Sequence, residues 1–119
     1  MNRKLQEQVL LYMKNVEIIQ KMLKCIERIE NYCNNATYTD FSQNTLLSDA
    51  CVFNLSQIGE LTTKLEPEFL SLHTNIPWHQ IKGLRNRIVH DYDGVNQILV
   101  WEVISEDLPV LKNQLKSIM

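Results

Sequence analysis

The sequence predicts an all-α protein, and three observations support this fold class. Apolar residues recur every three or four positions over long stretches, which is the spacing of amphipathic helices. The 119 residues include three glycines and three prolines, whereas an all-β sandwich or barrel needs a turn signal every ~8 to 12 residues. Hydrophobic residues make up 45% of the chain, which is enough to bury a core. We therefore expect a single helical domain spanning residues 1–119.

The first half of the chain contains two long helical patterns. The first runs from Leu5 to about Tyr32, and Asn31–Asp40, which has no apolar period, is predicted to be a connecting loop. The second helix is predicted to start between Phe41 and Thr45 and to end near Leu65. Its expected inward-facing residues are Leu46, Ala50, Phe53, Leu55, Ile58 and Leu61.

A glycine interrupts the second helical pattern at position 59. Glycine inside a helix costs roughly 1 kcal/mol relative to alanine, so its presence needs a structural reason. We expect another helix to approach the backbone closely at Gly59.

The second half of the chain contains two further main helices and a short one. Pro67 begins a short segment that ends at Leu72, since proline is favoured in the first helical turn. The third main helix is predicted from Pro77 or Trp78 to about His90, followed by a frayed end and turn at Asp91–Gly94. The last follows Asn96, a good N-cap, and Pro109 should kink or divide it. The predicted architecture is an up-and-down bundle of four main helices plus a short one.

Charge and cysteine usage exclude several classes of protein. Twelve Lys and Arg against fourteen Asp and Glu give a formal net charge of -2, so any nucleic-acid site must be a local patch. Three cysteines without Cys-x-x-Cys spacing indicate reduced thiols in a cytoplasmic protein. The three histidines lack metal-ligand spacing, so we expect no metal and no cofactor. No apolar run is long enough for a membrane span, and we expect no membrane partner.

The segment 81–92 departs from ordinary amphipathic patterning because it gathers Lys82, Arg85, Arg87, His90 and Tyr92. A phosphate group would be attracted here, since the rest of the chain is slightly acidic.

Helix geometry separates the residues of this segment into faces. At ~100° per residue, Ile81, Leu84 and Ile88 form a narrow buried arc, and Asn86 shares the opposite side with His90. Arg85 lies roughly 140° from His90 on the same wheel. The two side chains can therefore meet at one atom only if the helix end unwinds or if a second copy of the chain contributes.

Histidine, arginine and a polar amide without a metal fit the transesterification of RNA. The imidazole can move a proton to or from a ribose oxygen, and the guanidinium can stabilise charge on phosphorus. DNA lacks the internal 2′-hydroxyl nucleophile. Spacing alone also fits a solvated surface arginine and a histidine that interacts with a helix dipole, so the residues by themselves leave both interpretations open.

The segment 85–92 resembles the Arg-x-x-x-x-His-x-Tyr motif of HepT-like toxins in the HEPN superfamily of helical ribonucleases. Further stretches resemble landmarks of that family in the same order along the chain. These stretches are Asp49-Ala50, Ile58-Gly59-Glu60, Ile76-Pro77-Trp78, Gly83-Leu84-Arg85-Asn86, Gly94-Val95, Val100-Trp101-Glu102 and Asp107-Leu108-Pro109. An ordered series over nearly the full chain is more specific than the short motif alone.

The resemblance implies a HEPN-type helical bundle, a homodimer with a composite cleft, and a metal-independent endoribonuclease that acts as the toxin of a type VII toxin–antitoxin system. It implies that Arg85, Asn86 and His90 are catalytic, and that RNA, of which tRNA and mRNA are the natural candidates, is the substrate. We assign Lys82 and Arg87 to an RNA-binding patch.

The resemblance also implies a protein partner. HepT proteins are usually encoded beside MntA, a minimal nucleotidyltransferase antitoxin, which would transfer AMP to Tyr92 and block the toxin. The alternative function is a non-catalytic HEPN binding module that holds a nucleotidyltransferase or a nucleotide.

Overall fold

The computed structural model describes residues 2–90 and 94–119. Of residue 90 it describes the backbone only. The chain folds into helices joined by short connections, with one two-residue β-ladder. In chain order the elements are α1 (Arg3–Tyr32), α2 (Tyr38–Gln43), α3 (Thr45–Thr62), α4 (Pro67–Leu72), α5 (Trp78–Lys82), α6 (Leu84–Ile88), β1 (Val89–His90), β2 (Gly94–Val95), α7 (Gln97–Glu102), a π-helical turn (Val103–Asp107) and α8 (Leu108–Lys116).

Helices α1 and α3 pack against each other and form the centre of the bundle. The α1 residues at this interface, including Ile19, Ile26 and Ile29, are fully buried, which confirms the predicted stripe in the second half of the helix. Leu5 and Val9 continue the stripe toward the N-terminus but are 46% and 41% exposed. The stripe predicted the helix correctly, but it did not show how far the core extends along α1.

The predicted loop Asn31–Asp40 is wrong at its end, because α2 begins at Tyr38. Thr37 Oγ1 accepts a hydrogen bond from the Asp40 backbone N–H at 3.1 Å, and Asp40 Oδ2 accepts one from the Thr37 N–H at 2.9 Å. This reciprocal arrangement is a capping box, which satisfies two backbone donors at the helix start. The Thr-x-x-Asp spacing was the local signal for α2.

Helix α3 begins inside the predicted window, at Thr45, and ends at Thr62. Leu55 and Ile58 are fully buried, as predicted. Leu46 and Phe53 are 81% and 60% exposed, so their predicted inward orientation is wrong. These two residues, seven positions apart, share a helix face that none of the residues described by the structure covers.

The predicted third main helix is divided into α5 and α6 at Gly83 and ends at Ile88 rather than at His90. Val89 has extended backbone angles, and the Ile88 carbonyl accepts the Asn96 N–H at 2.8 Å. β1 and β2 pair antiparallel, with Val89 opposite Val95 and His90 opposite Gly94. The hairpin ladder therefore replaces the last predicted helical turn.

The last predicted helix is divided before Pro109, as its position predicts. Asn96 caps α7 by accepting the Leu99 N–H at 3.1 Å. The π-helical turn Val103–Asp107 then leads into α8, with the Leu108 N–H bonded to the Val103 carbonyl. Proline has no N–H and its ring crowds the preceding turn, so the widened turn accommodates it.

Together these elements confirm the predicted all-α helical bundle, to which α2 and the hairpin are additions. Across the described ranges, no helix is both long enough and apolar enough to cross a bilayer.

Candidate active site

Helix α6 presents three consecutive polar side chains to solvent. Leu84 and Ile88, four positions apart, are buried and fix the orientation of the helix. Arg85, Asn86 and Arg87 between them are exposed. The predicted buried arc is confirmed, since Ile81 on α5 is also buried.

Helix α5 is held against α3 at Gly59. A Cβ atom added there would lie 3.0 Å from the Ile81 carbonyl oxygen and 3.5 Å from that of Lys82. This confirms the predicted close approach at Gly59, and it identifies the neighbour as the end of α5. Because α6 follows after Gly83, the contact also sets where Arg85 lies.

The cations of this segment have no carboxylate partner among residues 2–90 and 94–119. The ion pairs in those ranges join Arg3 to Glu7 and Lys112 to Glu30. The side chains of Lys82, Arg85 and Arg87 are exposed, and exposed cations of this kind can bind a phosphate group.

The backbone at His90 is extended rather than helical, so the wheel angle of roughly 140° from Arg85 does not apply to it. Unwinding of the helix end was one of the two ways by which the sequence allowed these residues to meet. The structure shows that the end is unwound. Tyr92 and the predicted turn at Asp91–Asp93 lie outside the described residues.

A groove of about 490 Å³ lies between α5–α6 and α8. Its lining includes Arg87 from α6 and Asp107 from the π-helical turn, but neither Arg85 nor Asn86. The structure therefore separates Arg87 from the other two polar residues, since the groove and the Arg85 surface are on different sides of α6. The sequence did not indicate this groove, because its walls come from elements about twenty residues apart.

The site carries no grouped metal ligands in the part of the chain that the structure describes. No three His, Cys, Asp or Glu residues lie close enough there to hold an ion together.

A comparison with known families identifies the family of this chain. The model described as "Ribonuclease HepT-like" matches residues 22–118, a range that contains α3, the α5–α6 segment, the hairpin and α8. The chain belongs to the HepT-like ribonuclease family. This HepT-like chain carries the predicted site residues Arg85, Asn86 and His90 within the matched range.

Individual relatives agree with the family membership. A protein of Caldanaerobacter subterraneus subsp. tengcongensis named "Putative RNase" is 35% identical over 86% of this chain and 88% of its own. A protein of Thermococcus cleftensis named "Probable ribonuclease HepT" is 28% identical over 86% of this chain and 93% of its own.

A longer relative from Methanocaldococcus jannaschii is named "Gamma-glutamylcyclotransferase and putative RNase". It is 36% identical over 89% of this HepT-like chain but only 48% of its own length. No solved structure matches the chain.

Proposed function

We propose that this chain is a metal-independent endoribonuclease that cleaves RNA by 2′-hydroxyl transesterification. The observation that carries the proposal is the family match over residues 22–118, joined to a solvent-facing Arg85 and Asn86 on α6. Ribonuclease chemistry is common to the family, whereas the mechanism, the toxin role and the partner are proposals for this chain.

In the proposed reaction His90 takes a proton from the ribose 2′-hydroxyl, or delivers one to the departing 5′-oxygen. The 2′-oxygen attacks phosphorus, the bond from phosphorus to the 5′-oxygen breaks, and the products are a 2′,3′-cyclic phosphate and a 5′-hydroxyl. The Arg85 guanidinium stabilises the charge that builds on the phosphoryl oxygens. Asn86 donates its amide to the same group, and Lys82 and Arg87 attract flanking phosphates.

The active unit in this proposal is a homodimer. Arg85 and Asn86 lie on an open surface of the single chain rather than in the described groove, so a second copy would enclose the scissile phosphate. The N-terminal part of α1 supports association, since Leu5, Leu10 and Met13 are 46%, 58% and 55% exposed. Exposed apolar side chains grouped on one element are typical of association surfaces.

We further propose that the chain is the toxin of a toxin–antitoxin pair. An MntA-like nucleotidyltransferase would transfer AMP from ATP to the Tyr92 hydroxyl, with release of pyrophosphate. Tyr92 is two residues from His90, so the adenylyl group would add bulk and negative charge beside the catalytic histidine. Intact mass after co-expression with an MntA-like nucleotidyltransferase tests this step, because Tyr92→Phe should abolish the added AMP.

Cleavage of tRNA and mRNA in EDTA tests the main proposal. We expect 2′,3′-cyclic phosphate ends, and we expect Arg85→Ala and His90→Ala to lower the rate at least about 100-fold. Arg87→Ala is the matched control, because it removes another exposed guanidinium two positions away. It should weaken RNA binding while leaving the maximal rate within about threefold of the wild type.

Full activity of His90→Ala would refute the catalytic assignment. Absence of cleavage by the wild-type dimer, together with stable binding of the nucleotidyltransferase, would favour the non-catalytic binding module instead. Light scattering of the purified chain tests the dimer separately.

A further inference from the structure

Two cysteine thiols meet where the end of α1 packs against α3. Cys33 Sγ and Cys51 Sγ are 3.5 Å apart and share a hydrogen bond. The two residues are eighteen positions apart in sequence, and their spacing alone gave no indication of a pair. The third cysteine, Cys25, is buried and is not bonded to either of them.

We propose that Cys33 and Cys51 form a redox-active dithiol, which a hydroperoxide oxidises to an intramolecular disulfide. A disulfide bond is about 2.05 Å long, so the sulfur atoms must approach by about 1.5 Å. Both backbone polar groups of Cys33 are hydrogen-bonded: its N–H donates to the Ile29 carbonyl at 3.0 Å, and its carbonyl accepts the Ala36 N–H at 2.9 Å. The approach therefore comes from side-chain rotation rather than from movement of the helices.

The two thiols differ in a way that assigns their roles. Cys33 is half-buried at the end of α1 and Cys51 is fully buried, so an oxidant in solution reaches Cys33 first. The hydrogen bond from Cys51 lowers the pKa of Cys33, whereas the hydrogen bond to Cys33 and burial raise the pKa of Cys51. A thiol with a lowered pKa supplies more of the nucleophilic thiolate.

The reaction balances in two steps. The Cys33 thiolate attacks a hydroperoxide oxygen, the O–O bond breaks, and with one proton taken up the products are a sulfenic acid and water or an alcohol. The Cys51 sulfur then attacks the Cys33 sulfur, which forms the S–S bond, breaks the S–O bond and releases water. Each cysteine sulfur loses one electron, and the hydroperoxide gains two.

The disulfide would link the C-terminal end of α1 covalently to α3. Closure between residues 33 and 51 encloses α2, whose Phe41 ring lies 5.3 Å from the Trp101 ring on α7. A cross-link over a loop of this length restricts the unfolded chain, and we expect the melting temperature to rise by roughly 10 °C. The stabilisation does not depend on RNA cleavage.

Mass spectrometry of the full chain tests the proposal directly. The reduced protein is treated with one equivalent of hydrogen peroxide, denatured and alkylated. We expect one alkylated cysteine instead of three, and a loss of two hydrogens from the tryptic peptide 29–64, which contains both Cys33 and Cys51. Cys25 lies in a different tryptic peptide and should be alkylated fully.

Variants separate the proposed pair from general oxidation. Cys25→Ala should still lose two hydrogens from peptide 29–64, whereas Cys33→Ser and Cys51→Ser should not. Added oxygen on peptide 29–64 without the loss of two hydrogens, or three alkylated cysteines after treatment, would overturn the proposal. The wild-type measurement stands by itself if either serine variant fails to fold.

Discussion

Replacement of Gly59 by alanine tests how the Arg85 surface is positioned. The new Cβ would lie 3.0 Å from the Ile81 carbonyl oxygen and 3.5 Å from that of Lys82. A comfortable contact needs a few tenths of an ångström more, and the nearest atom belongs to backbone that cannot rotate away. We therefore expect α5 to shift and the core beneath it to loosen.

The magnitude follows from two opposing effects. Overpacking a close contact costs typically ~1–3 kcal/mol, whereas alanine in place of glycine inside a helix gains roughly 1 kcal/mol. The net expectation for Gly59→Ala is a loss of about 1 kcal/mol in the free energy of unfolding. For a chain of this size the melting temperature should fall by roughly 3–5 °C.

Gly83→Ala provides the matched control. An added Cβ there would lie 3.7 Å from the nearest atom, the His79 carbonyl oxygen, and Gly83 has a φ of -85°, which alanine adopts readily. We expect its free energy of unfolding to stay within about 0.5 kcal/mol of the wild type. Thermal and urea unfolding of both variants in one buffer measure the difference. An increased stability of Gly59→Ala would refute the reasoning, because helix propensity would then outweigh the contact.

Three further predictions follow from burial, backbone angles and charge. Leu55→Ala should lower the free energy of unfolding by ~2–5 kcal/mol, whereas Leu46→Ala should change it by less than about 0.5 kcal/mol; equal losses in urea titrations would contradict the exposure of Leu46. Gly94 has a φ of 75°, and no atom of the residues that the structure describes lies within 4 Å of an added Cβ, so Gly94→Ala should lower the free energy of unfolding by about 1 kcal/mol through the backbone alone; a stability equal to the wild type would contradict this expectation. Hydrogen bonds from the Thr37 backbone and side chain lower the pKa of Asp40, so the stabilisation by its carboxylate is present above the unfolded pKa and is lost as pH falls through the folded pKa. Asp40→Asn should therefore make urea midpoints decline less steeply between about pH 5 and pH 2. An unchanged slope would count against the capping box.

Much of the fold follows from signals that act within one or two helical turns. Asn96 caps α7 through its own side chain, and Pro109 divides the last helix because of its own ring and missing N–H. Ile81, Leu84 and Ile88 share a buried face because helical spacing places them there. Glycine within a helix lowers the stability of the helix, so Gly59 indicated that another part of the chain approaches its backbone closely.

The remaining features could not be predicted because they depend on residues far apart in the chain. Leu46 and Phe53 have the same spacing as buried residues, but none of the helices and strands described above covers them. The helix at Arg85 ends early because the Ile88 carbonyl pairs with Asn96, eight positions later. Similarly, Cys33 and Cys51 meet only because α1 packs on α3.

The sequence by itself determined the helical class, most helix starts and the polar face that carries Arg85 and Asn86, since helix periodicity and capping are local properties. The tertiary structure decided which apolar faces are covered, where the helix before His90 unwinds and which thiols are neighbours. These outcomes depend on long-range packing, in which a carbonyl, a helix face or a sulfur finds its partner only after the bundle has assembled.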